Sequence, residues 1–165
     1  MRLTQFSDYS LRILMTLALD PGKRFTIGEL SKRHRISRNH LTKVVHRLAK
    51  DGHIVTTRGQ GGGVSIAKST SSATLGDIVR STEPDFAMAE CFRRNGFCRF
   101  APHCTLQTVL SDSLRAFFAV LDQHTLGDLV RDPLPLQRLL DSPAGPRKSA
   151  SRSPARSKRT FQPVQ

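Results

Sequence analysis

Three observations predict a mainly α-helical fold with one small β-hairpin, a winged helix-turn-helix followed by a long dimerisation helix. Apolar residues recur at helical spacing between capping signals over the first fifty positions. Two short β-prone runs flank a glycine-rich turn at 59–63, and residues 106–121 carry a stripe of three-four spacing.

Leu11, Leu14, Leu17 and Ala18 share one face of a first helix, for which Ser7 or Asp8 is the expected cap, and Asp20-Pro21-Gly22 ends it. Thr26, with Glu29 three positions on, opens a short helix from Ile27 to about His34. Ser37 caps a third helix that ends near Lys50-Asp51-Gly52 and buries Leu41, Val44, Val45 and Leu48. Two helices joined by a tight turn, the second rich in polar and basic residues, form a helix-turn-helix. The runs 53–58 and 64–68 then supply a hairpin in the position of a wing. Thr74 caps a fourth helix, Leu75 to about Thr82, and a cysteine-bearing loop follows. The long helix starts near Thr105. A last short helix covers roughly Leu126 to Val130, after which Pro133 and Pro135 are expected to break the pattern.

The net charge of +13 points to a polyanionic partner. From Asp141 to the end, six basic residues against one acid carry +5 of that charge, leaving +8 on the remainder. This Ser/Pro/Arg/Lys-rich stretch holds only Phe161 and Val164 as bulky apolar residues and is expected to be a disordered basic tail. No apolar run approaches the ~18 residues that span a bilayer. The N-terminus lacks the apolar core of a secretory signal, so a cytoplasmic protein without membrane contact is expected. The division expected is a DNA-binding unit at 1–83, a cysteine loop at 84–104, dimerisation and C-terminal helices at 105–140, and the tail at 141–165.

Ser37, Arg38, Asn39, His40, Thr42 and Lys43 open the third helix and are the candidate base readers, because Arg suits guanine, Asn suits adenine and Lys suits guanine or phosphate. Arg58, Gln60 and Gly61 at the wing complete the expected DNA contacts. Residues 62–69 nearly spell a phosphate-binding loop, but Ala67 stands where glycine is needed before Lys68. With no catalytic triad or close two-cysteine motif either, an enzyme is not expected. The stripe Leu106, Val109, Leu110, Leu114, Phe117, Phe118, Leu121 suits a homodimer interface, and dimeric readers take near-palindromic double-stranded sites.

All three cysteines, Cys91, Cys98 and Cys104, fall in one window beside Phe92, Arg93, Arg94, Phe97, Arg99 and Phe100. Their gaps exceed the usual spacing of structural zinc sites, and His103, adjacent to Cys104, would strain a shared zinc. Three soft thiolates suit an iron–sulfur cluster better. Composition leaves zinc, a cluster and free redox thiols open.

The opening Leu3-Thr4-Gln5-Phe6-Ser7-Asp8-Tyr9-Ser10-Leu11-Arg12, the wing Arg58-Gly59-Gln60-Gly61-Gly62-Gly63, and the segments Glu90-Cys91-Phe92 and 119–130 resemble the Rrf-two family of winged-helix regulators, in particular its nitric-oxide-sensing repressors. That resemblance covers Met1 to about Val130. It implies an iron–sulfur cluster on Cys91, Cys98 and Cys104, four-iron four-sulfur favoured and two-iron two-sulfur the alternative. Asp8 of the other subunit is the implied fourth ligand, and loss of repression on nitrosylation the implied response. A regulator of the same family with another signal, or a zinc-stabilised DNA-binding or adaptor protein, is the alternative. The six residues between Cys91 and Cys98 exceed the family spacing slightly. Gln107 stands where a sister iron–sulfur regulator has a ligating histidine, which argues against that function.

Overall fold

The computed structural model describes residues 2–93, 95–100 and 103–141. Helix α1 (Gln5–Ala18) opens one turn earlier than the expected Ser7 or Asp8 cap: Thr4 is the cap, and its hydroxyl accepts from the Ser7 amide at 3.2 Å. Ser7 is buried in the first turn instead. Ile13, Leu14 and Leu17 make the core face of α1. Ser10 and Thr16 are buried beside them, and their hydroxyls donate to the carbonyls of Phe6 and Arg12, so burial leaves no polar atom stranded.

Helix α2 (Ile27–His34) starts with the reciprocal box of Thr26 and Glu29 and stops at Arg35, which takes a left-handed backbone at φ 53°. That single positive-φ residue turns the chain into α3 (Arg38–Lys50), capped by Ser37 through the His40 amide. Leu41, Val44, Val45 and Leu48 bury the inner face of α3 against α1 and α2, while the other face remains in solvent.

Strands β1 (Ile54–Thr57) and β2 (Gly63–Ile66) pair antiparallel, with Ile54 opposite Ile66 and Thr57 opposite Gly63. Ile54, Val64 and Ile66 seat the hairpin on the helical core. Phe25, just before α2, exchanges both backbone hydrogen bonds with Val64 and anchors the wing to the helix-turn-helix. At the tip, Gly59 and Gly61 adopt positive φ, and a Cβ at Gly62 would collide with the Thr57 carbonyl. The glycines therefore meet a steric demand of the turn. Lys68 opens a short 3-10 turn to Ser72, a geometry unlike the helix that follows a phosphate-binding loop.

Helix α4 (Leu75–Thr82) is capped by Thr74 as expected. Helix α5 (Thr105–Leu121) is the longest, and no residue in it is buried. Helix α6 (Leu126–Leu129) begins on a Thr125–Asp128 box, and Leu126 plugs the core. The expectation that Pro133 and Pro135 end helical structure is corrected: α7 runs from Pro133 to Asp141. Proline at a first helical position has its φ preset, and its missing N–H would have had no intrahelical acceptor. Asp141 thus ends a helix instead of opening a tail. The rest of the expected tail lies outside the described residues, and no helix among the described residues is long and apolar enough to cross a membrane.

Candidate DNA interface and cysteine loop

Ser37, Arg38, Asn39, His40, Thr42 and Lys43 are all exposed on the first two turns of α3, opposite the apolar face. The helical period forces this: with positions 41, 44, 45 and 48 inward, 38, 39, 42 and 43 point outward. Ser37 and Thr42 spend their hydroxyls locally, on the His40 amide and the Arg38 carbonyl. Arg38 leans back over α2, where a Cβ added at Gly28 would stand 3.3 Å from its guanidinium. The first turns of α2 and α3 therefore share one edge. Gly28 carried no signal in the sequence, because its role depends on this approach.

Tyr9 of α1 also reaches that edge, its ring 6.3 Å from the His40 ring. The two border a notch of about 200 Å³ that also involves Gln5, Phe6, Lys43 and Val44. Tyr9 was invisible as a site residue from sequence, since it reads as part of an amphipathic helix. Arg58, Gln60 and Gly61 lie exposed at the wing tip, a separate prominence on the molecule. Arg47, farther along α3, is held by Asp51 at 2.7 Å and by the Ser81 carbonyl at 2.7 Å, so it braces α3 against α4.

The cysteine loop leaves α4 at Glu83. The Glu83 carboxylate accepts the Thr4 amide at 2.7 Å, which ties the entry of the loop to the cap of α1. Cys91 sits in a 3-10 turn (Glu90–Phe92), and Cys104 is the residue before α5. Gly96 folds back so closely that a Cβ there would collide with the Glu90 carbonyl. Phe92 borders a shallow cleft together with Gln107 and Ser111 of α5.

Cys91, Cys98 and Cys104 are free and half-buried. The chemistry of this donor set, three uncommitted thiols in one loop, fits an iron–sulfur cluster. The arrangement within one chain is open: among the described residues no three Cys, His, Asp or Glu side chains are gathered closely enough to hold a metal. Asp8 stands on α1 in an ion pair with Arg12 at 2.8 Å. Both partners are substantially exposed, so the carboxylate can be reached from outside its own chain.

Two histidines sit behind these surfaces. His34, at the end of α2, meets the Thr16 hydroxyl at 2.8 Å, and burial followed by the charges of Arg12 and Arg33 holds its pKa below the ordinary imidazole value. His53, before β1, meets Ser81 at 3.2 Å and is likewise lowered, chiefly by burial.

Comparison with known proteins places this geometry. The pattern of the Rrf2 family, described as an iron-dependent transcriptional regulator, matches residues 3–132. The HTH-type transcriptional regulator NsrR of Bacillus subtilis (strain 168) is 42% identical over 142 residues, spanning 85% of this chain and 97% of the relative. A solved putative transcriptional regulator from Listeria innocua superposes with a TM-score of 0.62 at 26% identity, covering 80% of this chain and 88% of that one. The fold is also that of T. potens IscR, with a TM-score of 0.65 at 22% identity over 83% of this chain and 91% of that one. The exposed helix α3, the wing braced by Phe25 and these matches lead to one statement: the chain belongs to the Rrf2 family of winged-helix DNA-binding transcriptional regulators and is not an enzyme.

Proposed function

We propose that the protein is a dimeric repressor that reads a near-palindromic operator with α3 and the wing, and that its cysteine loop makes this binding responsive to nitric oxide. The observation that carries the reading is the Glu83–Thr4 hydrogen bond, because it couples the loop bearing three free thiols to the first turn of α1. Resemblance of the sequence to nitric-oxide-sensing repressors, and 42% identity to a relative named NsrR, support it.

In this reading Arg38, Asn39, His40 and Lys43 meet base edges, with Ser37 and Thr42 shaping the first turn. Arg58, Gln60 and Gly61 approach the neighbouring groove and backbone. Two copies join along α5, whose Leu106, Val109 and Val120 are all more than half exposed in the single chain. Covering such a stripe removes apolar area worth roughly 25 cal/mol per Å² from water.

Cys91, Cys98 and Cys104 would hold an iron–sulfur cluster, four-iron four-sulfur favoured, together with Asp8 of the partner subunit. When bound, the cluster supplies iron with affinity for nitric oxide. The chain's own part is to couple that loop to DNA binding. Asp8 lies four residues after Thr4, so a change in what Asp8 or Glu83 holds reaches the α1 turn that packs behind α3. A shift of only ~1.4 kcal/mol in operator binding is tenfold in affinity.

Oxygen-free purification followed by iron and acid-labile sulfide analysis tests the loop. The intact chain should carry both, and C91S, C98S and C104S should each lose most of the iron. Iron retained in all three variants, or absent from the intact chain, contradicts the assignment.

A further inference from the structure

Helix α3 has two flanks as well as an outward face, and α1 and α2 stand on opposite flanks. With Leu41 and Leu48 turned inward, Asn39 points most directly away from the core. Arg38 lies on the α2 side, where its guanidinium approaches Gly28. His40, Lys43 and Val44, at three-four spacing, lie on the other side and meet α1. Facing them are Gln5, Phe6 and Tyr9, which share one face of the first two turns of α1.

The notch of about 200 Å³ between these two sets has a divided chemistry. Its floor is apolar: Val44 is buried, and Phe6 and the Tyr9 ring pack against the core. Its rim carries donors, the Gln5 amide, the Tyr9 hydroxyl and the Lys43 ammonium, with the His40 ring beside them. Among the described residues no carboxylate lines it, and those three donors make no hydrogen bond to a described residue. The Ser37 and Thr42 hydroxyls, by contrast, are spent locally. Donors around an apolar floor suit a sugar–phosphate unit, whose phosphate oxygens accept and whose deoxyribose presents C–H groups. A helix with its side chains is about 10–12 Å across, and the major groove is about 12 Å wide. A recognition helix seated there therefore brings its flanks against the two phosphate walls, and the notch lies on one such flank.

We infer that this notch grips one sugar–phosphate unit of the operator in each half-site. Gln5 and Tyr9 donate to its phosphate beside Lys43, and the Phe6 and Tyr9 rings meet its sugar. The inference rests on the reading of α3 as the base-reading helix, which fixes the side of the molecule that DNA occupies. It brings α1 into the DNA contact, where it sets the register of α3 on the duplex and carries no sequence information of its own.

The test is a cycle between side chain and phosphate, run on the full chain purified without oxygen. Y9F removes one hydroxyl and keeps the ring that packs on the core, and Q5A trims an exposed residue, so both should fold. Binding is measured to an operator duplex and to duplexes in which one phosphate at a time is replaced by an uncharged methylphosphonate. The unaltered chain should show a penalty at one position in each half-site, and Y9F and K43A should each reduce that penalty. On the unmodified operator Y9F and Q5A should bind about three- to tenfold more weakly, the net worth of one hydrogen bond. Their salt slopes should match that of the unaltered chain, because neither residue is charged, whereas K43A lowers the slope by about one. Penalties for single base-pair changes should be the same in Y9F as in the unaltered chain. Full affinity in both Y9F and Q5A, or methylphosphonate penalties that Y9F leaves unchanged at every position, overturns the inference. A loss in Y9F confined to one base pair also overturns it, by making Tyr9 a base reader. If N39A leaves operator preference intact, the reading of α3 fails on its own. The Tyr9–phosphate cycle then still decides the notch: coupling supports the contact, and its absence overturns it.

Discussion

Arg80 grips Asp122 with both terminal guanidinium nitrogens, each 2.7 Å from a carboxylate oxygen, and so joins α4 to the residue that ends α5. The same guanidinium lies 4.3 Å from the Phe118 ring centroid, and Phe118 meets Phe86 edge-on at 4.8 Å. Gly76 in α4 makes room for this contact, since a Cβ there would collide with the Asp122 carboxylate. The helix expected to form the dimer interface is thereby fixed to the DNA-binding unit by one planar, two-point pair.

Gly76→Ala should push the Asp122 carboxylate out of this grip and loosen the tie between α4 and the end of α5, with a small loss of stability because the displaced side chains are partly exposed. Denaturant unfolding of G76A against the unaltered protein measures it. An unchanged midpoint would mean that α5 is held by other contacts.

The Arg80 hydrogen bond, then its charge, holds the Asp122 carboxyl below the usual carboxylate range. A depressed carboxyl pKa contributes stability that is present above the unfolded value of about 4 and is lost as pH falls through the folded value. D122N should therefore lose stability at neutral pH and show a shallower acid-unfolding profile below about pH 4. Coincident profiles in that range would contradict the pairing.

His34 and His53 predict a second pH dependence, of known sign. Burial lowers both imidazoles, so below the unfolded value of about 6.5 the unfolded chain binds protons that the native chain does not. Stability should fall as pH drops from 6.5 and level off once the folded values are passed. Unfolding midpoints between about pH 8 and pH 5 should be flatter in H34Q and H53Q than in the unaltered protein, and flattest in the double variant. A slope unaffected by either change would show that the histidines titrate alike in both states.

At the interface, K43A and R58A should weaken operator binding, each lowering the salt slope by about one where the side chain touches phosphate. N39A should cost about 1–3 kcal/mol on the operator and relax preference at one base pair. Operator and scrambled-site affinities in all three that match those of the intact protein would move the DNA face elsewhere.

Charge placed at exposed apolar positions of α5 tests the pairing of two copies. V109E and V120E add a charge at residues 53% and 56% exposed in the single chain, so folding should survive. If α5 forms the interface, each carboxylate would be desolvated there, and sedimentation should show a shift toward monomer. A dimer of unchanged strength would place the interface on another surface.

Much of this architecture was legible because its determinants are local. Thr26 with Glu29, Ser37 and Thr74 cap the helices expected of them, and the inward set 41, 44, 45 and 48 fixes the outward set on α3 without reference to any other element. The hairpin was legible as two β-prone runs around a glycine-rich turn, and the structure pairs them as β1 and β2. The misreadings arise where distant residues decide. Thr4 outcompeted Ser7 and Asp8 as the cap of α1, and its amide is satisfied by Glu83, 79 positions away. Pro133 looked like a terminator because a proline that begins a helix and one that ends it are the same residue until the apolar recess that α7 forms with Met15 and His34 is known. Tyr9 and Gly28 joined the candidate interface only through His40 and Arg38. The cysteine loop was visible as composition, but the proposed ligand set, which includes Asp8 of the partner subunit, would have no signature in one chain.

The central claim is that the state of the cysteine loop governs the grip on DNA. Operator affinity measured without oxygen for the iron-loaded protein, the metal-free protein and the loaded protein after nitric oxide decides it. The account predicts tight, sequence-selective binding by the loaded form and a loss of about tenfold or more in the other two, equivalent to ~1.4 kcal/mol. The same affinity in all three preparations would contradict it.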